Sequence, residues 1–286
     1  MKKAVSFFCV VLIGLGGILT PLGSKSPYVT EARFWKARAF SQQIVANPET
    51  TPPLVFKKAR QQFEGLIRDY PENIALKKEC LLSIAGLLVQ EKKYQEARDF
   101  LYKVGKEYLD DSTFGAKSQF LIGFSYEKGG DWAAALKEYG ILRDHYSTSP
   151  LGLEAPLYIA RHDIKEDSQK GKESYEAAAE YYRRVAQKNP KSPVNFVALN
   201  DMLMGYEEQK EWGKSLDTVE EIILAYPTAL RVYVPRIEAY SRKLNQPERA
   251  GAIYQAFIQA NPESKDAALL KKRIEGLERK QENVSQ

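Results

Sequence analysis

Small and large apolar side chains recur along this chain with a helical period. Aligned on Ala135, equivalent small residues fall at Ala59, Ala97, Ala178, Ser215 and Ala250, in steps of 38, 38, 43, 37 and 35 residues. Three positions before them stand Phe56, Tyr94, Trp132, Tyr175 and Trp212, with Pro247 in the last copy. Four positions after stand Phe63, Leu101, Tyr139, Tyr182, Val219 and Tyr254, and seven after stand Leu66, Val104, Leu142, Val185, Ile222 and Phe257. Offsets of −3, 0, +4 and +7 lie on one stripe of an α-helix, so the pattern predicts six helices that each bury that stripe.

The punctuation repeats with the same register. Pro71, Pro190, Pro227 and Pro262 stand twelve residues beyond the small position, where a missing N–H and a ring clash must end a helix. Leu109 and Ser147 take that place in the other two copies, and there "YLDDS" and "YSTSP" can turn through Asp and Ser side chains. Upstream of each stripe lies a second helical pattern, as in "FLIGFSY" before Trp132, followed by "EKGGD". Gly129 or Gly130 is suited to close that helix in the left-handed conformation, and Asp131 to cap the next one. The repeating unit is therefore helix, short turn, helix, stop. A lone helical hairpin cannot bury both faces, so the copies are expected to stack on one another. Trp132 and Trp212 read as wedges between hairpins.

Three stretches depart from the simple array. Residues 46–53, "ANPETTPP", widen the first turn, and residues 166–174, "EDSQKGKES", are expected to form a polar loop that accounts for the 43-residue step. Residues 264–281 read as an amphipathic helix with a charged face, suited to cap the open end of a stack.

These residues carry a resemblance. Ile122-Gly123-x2-Tyr126 and Ala135-x3-Tyr139 resemble the tetratricopeptide repeat, whose pattern is Trp-x2-Leu-Gly-x2-Tyr, then Ala-x3-Phe, then Pro; Gln119 and Ser147 depart from it at the Trp and Pro positions. The resemblance implies an all-α fold, a right-handed α-solenoid of about six hairpins over residues 27–262, with a capping helix and polar tail over 263–286.

Composition changes this picture at the N-terminus. Lys2 and Lys3 precede an uncharged run from Ala4 to Leu19, which reads as a secretory signal or an N-terminal membrane anchor within residues 1–26. Either places the body on the exported side, periplasmic or facing the periplasm from the inner membrane. The formal charge of +5 owes three lysines, Lys2, Lys3 and Lys25, to that segment, leaving 39 basic against 37 acidic side chains. So balanced a body lacks the one-signed field that nucleic-acid binding uses.

Chemistry is sparse. His145 and His162 are the two histidines and have no metal-ligand spacing, so no metal or cofactor is expected. Neither a nucleophile elbow nor a phosphate-cradling glycine loop occurs, and no enzyme is expected. Cys9 lies in the apolar run, and Cys80 reads as a small buried hydrophobe.

In tetratricopeptide proteins the first helix of each hairpin lines a concave groove. The resemblance thus places Leu82, Phe120, Phe124, Leu157, Val197, Asn200 and Met204 towards a groove, with Arg161 and Glu207 nearby. Gly86, Phe124 and Met204 occupy the register where the family's clamp for carboxy-terminal peptides needs asparagine, which argues against that mode. Long periods, "KNPKSP" and "HYSTSP" stops and the export signal resemble the envelope branch of the family. That branch includes the repeat lipoprotein of the outer-membrane β-barrel assembly machinery and the periplasmic coordinator of the Tol–Pal system. The expectation is a non-catalytic scaffold holding a segment of an envelope protein on its concave face, with membrane association only through an uncleaved N-terminus. The alternative is a recruiting module for a cell-wall-modifying enzyme or a glycan assembly or export complex.

Overall fold

The computed structural model describes residues 26–284. The expected signal or anchor, with Cys9, lies outside the described residues. Among the described residues there are thirteen α-helices, two short 3-10 turns and no strand. They pair in chain order. Helix α1 (Pro27–Ala46) pairs with α2 (Pro53–Asp69), α3 (Ile74–Gln90) with α4 (Tyr94–Gly105), and α5 (Ser112–Lys128) with α6 (Trp132–His145). Then α7 (Pro150–Glu166) pairs with α8 (Ser168–Lys188), α9 (Pro193–Glu208) with α10 (Trp212–Ala225), and α11 (Leu230–Lys243) with α12 (Pro247–Ala260), before the terminal α13 (Ala267–Val284). The described chain is thus all-α and made of helical hairpins, as an α-solenoid is. It divides into two compact units between Leu142 and Arg143.

The stripe read from the sequence is the inner face of the second helices. Every residue at offsets 0, +4 and +7 is buried, from Ala59, Phe63 and Leu66 to Ala250, Tyr254 and Phe257. Burying each large member contributes about 1.5–3 kcal/mol, which is what the repeat stabilises itself with. In the first unit two adjoining cores result, one centred on Phe63, Leu66 and Leu87 and one on Leu101, Phe114 and Ile122. In the second unit one core runs from Leu153 of α7 to Leu270 of α13, so the last helix does cover the end of that stack.

Small residues set how closely helices approach. A Cβ added to Gly123 of α5 would lie 2.7 Å from the Tyr139 ring of α6, so the glycine is the socket for that tyrosine. Trp132 packs its ring 5.9 Å from Tyr139 in the same hairpin, whereas Trp212 stacks 5.5 Å from Tyr240 of the next hairpin, under the Lys243 ammonium.

Four hairpins share one turn. Residues Lys92, Gly130, Lys210 and Asn245 hold positive φ of 64°, 84°, 59° and 56°. In each, the following N–H reaches the carbonyl five residues back at 2.9 Å, from Lys93, Asp131, Glu211 and Gln246 respectively, closing a Schellman motif. Glycine fills the left-handed position in one copy only; the lysines there bear a local cost that tertiary packing outweighs. The first hairpin instead turns through a 3-10 segment, Pro48–Thr50.

The stops behave as read. Helices α2, α8, α10 and α12 end at Asp69, Lys188, Ala225 and Ala260, each two residues before its proline. Where proline is absent, Asp111 accepts a hydrogen bond from Phe114 N–H (2.8 Å) and Ser149 from Gly152 N–H (3.0 Å), capping α5 and α7.

One expectation is overturned. Residues 166–174 are not a loop: α7 runs to Glu166 and α8 begins at Ser168, with only Asp167 between them. The extra residues lengthen α8 to 21 residues. Asp167 caps the Lys170 N–H at 2.8 Å, and the buried Asp163 of α7 receives Ser174 Oγ at 2.6 Å and Lys170 Nζ at 2.9 Å. Two polar anchors and the close approach at Gly171 thus turn a polar stretch into a packed helical turn.

Candidate protein-binding faces

The nine residues expected in a groove fall into both units. In the first unit Leu82 is buried in the core with Phe114 and Ile122, so it is not surface. Phe120 and Phe124 are half-buried; their rings stack at 5.8 Å and 12°. Phe120 also lies 6.1 Å from Tyr139, Phe124 packs on the core of α2 and α3, and the Lys128 ammonium sits 5.1 Å from the Phe124 centroid. Both rings therefore serve the hairpin as well as the surface.

The second unit brings its candidates together, with one exception. Leu157 is buried; it fills the space above Gly205, where an added Cβ would meet its Cδ2 at 3.2 Å. Arg161 of α7 reaches across to α9. Its Nη2 lies 2.6 Å from Glu208 Oε1 and 2.9 Å from Met204 Sδ, and its Nε reaches both Glu208 oxygens at 3.1 Å. Burial pushes the Glu208 carboxyl up, but the bonds from Arg161 and Tyr175 (Oη at 2.6 Å) outweigh it and hold it below its usual range. Asn200 accepts from the Tyr233 hydroxyl at 2.5 Å, and Glu207 accepts from Arg236 Nε at 3.1 Å and from the Tyr240 hydroxyl. Around this braced ladder Val197 and Met204 are 40% and 38% exposed, two apolar side chains on one face of α9.

Sequence reasoning missed the partners of this ladder, although a signal existed. Tyr175–Glu208, Tyr233–Asn200 and Tyr240–Glu207 are all 33 residues apart, and Arg161–Glu208 spans 47. The same 47-residue register sets Glu154 against Asp201, an acid against an acid. Asp201 Oδ2 is shielded from water without a hydrogen-bond partner. Burial first, then the charge of Glu154, push the Asp201 carboxyl up to about 6, against the pull of Arg161.

Because the folded pKa is raised, Asp201 contributes stability below the unfolded carboxylate range that is lost as pH rises through about 6. A displacement of that size is worth about 3 kcal/mol in a dry site, and screening of a partly exposed group reduces it to ~1 kcal/mol. Asp201→Asn is expected to raise unfolding free energy by ~1 kcal/mol at pH 8 and by little at pH 4. Urea unfolding of both proteins across that range checks it, and a constant difference would contradict the assignment.

The remaining reactive groups are structural in place. Burial pushes the Cys80 thiol up to about 12, so it carries no thiolate near neutral pH. His145 is exposed on the last turn of α6, and His162 lies half-buried with Nδ1 4.0 Å from the Asp163 carboxylate. Among the described residues no group of three or more His, Cys, Asp or Glu could hold a metal, and no helix is long and apolar enough to cross a membrane.

Comparison with known proteins agrees with this geometry at one place. Residues 117–149, which hold the Gly123–Tyr139 socket, match a tetratricopeptide repeat family model. No curated protein matches the chain in sequence. Among solved structures, nearly identical TPR-like repeats from Podosopora anserina share 13% identity over 70% of this chain and 96% of theirs, with a TM-score of 0.41. The TPR2AB domain of yeast Sti1 in its pHSP90 complex shares 15% over 86% and 97%, at 0.32. BtubC (BKLC) from P. vanneervenii shares 12% over 82% and 91%, at 0.37.

Proposed function

We propose that this chain is a non-catalytic adaptor of the cell envelope that seats an apolar segment of another envelope protein on the first-helix face of its second unit. The observation that carries this reading is the exposed pair Val197 and Met204 beside an Arg161 already held by Glu208. A face whose polar groups are paired with one another leaves its apolar side chains as the part that gains most from a partner. The tetratricopeptide match over residues 117–149 supports a protein-interaction role, and the Lys2-Lys3 start with its apolar run supports export.

A photo-crosslinking amino acid at Val197, in intact cells, tests the reading. Products naming an envelope protein, absent when the crosslinker sits at the exposed Glu176 of α8, are expected. The paired substitution Val197→Glu and Met204→Glu is expected to abolish capture while leaving the melting curve in place. Equal crosslinking from both positions, or capture that survives the pair, would reject it. A wall-modifying enzyme as the captured protein would favour the recruiting role over assembly.

A further inference from the structure

A cavity of about 840 Å³ in the first unit, remote in sequence from Val197 and Met204, has a chemistry of its own. It opens between α1 and α3, with the turn after α2 as its floor, and its volume is in the range of ligand-binding clefts. Phe34, Trp35, Tyr70 and Leu76 give it apolar walls. Trp35 is 48% exposed, so the cavity is reached from solvent along α1.

The carboxylates that line it are Glu31, Asp69, Glu72 and Glu79, and no basic side chain stands among the lining residues. Two of these acids are already neutralised from outside. Arg33 bonds Asp69 at 2.7 Å and the Tyr70 hydroxyl at 3.1 Å, and Lys117 bonds Glu79 at 2.5 Å. Among the described residues no salt bridge reaches Glu31 or Glu72; Glu31 receives the Trp35 indole N–H at 3.3 Å, which sets carboxylate and ring side by side. A cleft with charge of one sign and low-dielectric walls concentrates its field inwards and favours an ion of the opposite sign. Aromatic faces attract cations, and two of these rings already hold the chain's own, Arg33 5.4 Å from the Tyr70 centroid and Arg38 5.2 Å from the Trp35 centroid, which leaves Glu31 and Glu72 as the groups for an incoming cation.

We propose that this cavity docks an extended segment of a partner protein through a lysine or arginine placed next to an apolar residue. The cation meets Glu31 and Glu72, and the apolar neighbour covers Phe34 and Leu76. The lining runs along α1 from Pro27 to Trp35, about 12 Å at a rise of 1.5 Å per residue, which is the length of three to four extended residues of a chain segment. This surface is separate from the α9 face, and its failure would leave the adaptor reading untouched.

The test applies the full chain to an array of random hexapeptides. Retained peptides are expected to carry Lys or Arg beside an apolar residue, at least tenfold above their acidic counterparts. The Glu31→Gln, Glu72→Gln pair changes two exposed side chains, so the melting curve is expected to hold while the basic preference drops about tenfold. Trp35→Ala is expected to weaken retention of the same peptides, and Val197→Glu with Met204→Glu to leave it unchanged. No charge preference, a preference that survives both cavity variants, or full competition by free tetramethylammonium would overturn the proposal.

Discussion

Replacing Gly171 by alanine is expected to lower the unfolding free energy by about 3 kcal/mol, although alanine is the better helix former by about 1 kcal/mol. An added Cβ there would stand 2.4 Å from Ile164 Cα and 2.5 Å from Ile164 Cβ and Cδ1. The nearest of these atoms belongs to the backbone, so no rotamer change relieves the clash. The ends of α7 and α8 would have to part, and a single residue, Asp167, joins them. Parting them would also strain the bonds that Ser174 and Lys170 make to Asp163, a carboxylate 2% exposed that is costly to leave unpaired. The control is the same change at Gly140 of α6 or Gly86 of α3, where an added Cβ meets nothing within 4 Å. There alanine is expected to stabilise by about 0.5–1 kcal/mol. Thermal melts of the three variants give opposite signs if close approach governs Gly171; three shifts in one direction would refute that account.

The second large effect concerns Arg60 and Glu91. Arg60 of α2 pairs with Glu91 at the end of α3, and their side chains are 12% and 9% exposed. Lys93 Nζ joins Glu91 at 3.2 Å, so the pair ties the first hairpin to the turn of the second. Breaking a shielded pair by removing one partner leaves a charge without compensation, which costs about 3–5 kcal/mol when burial is complete. Glu91→Ala is therefore expected to cost about 3 kcal/mol. The double variant Arg60→Met, Glu91→Met is expected to recover most of that loss, since an apolar pair of similar volume avoids the desolvation of both charges. Chemical denaturation of Arg60→Met, Glu91→Met and the double variant forms the cycle. A double variant as unstable as the sum of the singles would show that the two side chains act independently.

Much of the fold was readable because repetition supplies its own check. Ala59 alone says nothing, but six small residues in register, each with a large apolar partner four and seven positions on, leave a helix with that stripe buried as the consistent solution. The prolines fixed helix ends to within two residues because their steric effect is local. Residues 166–174 were illegible for the opposite reason. "EDSQKGKES" is polar throughout, and its helix exists because Asp163, buried on the preceding helix, collects Ser174 and Lys170. No local propensity encodes that.

The candidate faces were less legible. Leu82 and Leu157 share the first-helix stripe with Phe120 and Val197, yet they are buried while Val197 is exposed. A helical period names a face; it does not say whether a neighbouring helix covers it. Glu208, Tyr175 and Asp201 entered the site through pairings between helices 33 or 47 residues apart, which a scan for motifs within one segment passes over.

Helix type, hairpin number, the proline stops and the buried stripe follow from local sterics and amphipathic period, and these are properties of short stretches of chain. Which carboxylates are paired, which acid faces another acid, and where an apolar wall is left open were decided by packing between helices. Charge and solvation energies depend on distances across space that the order of residues does not contain.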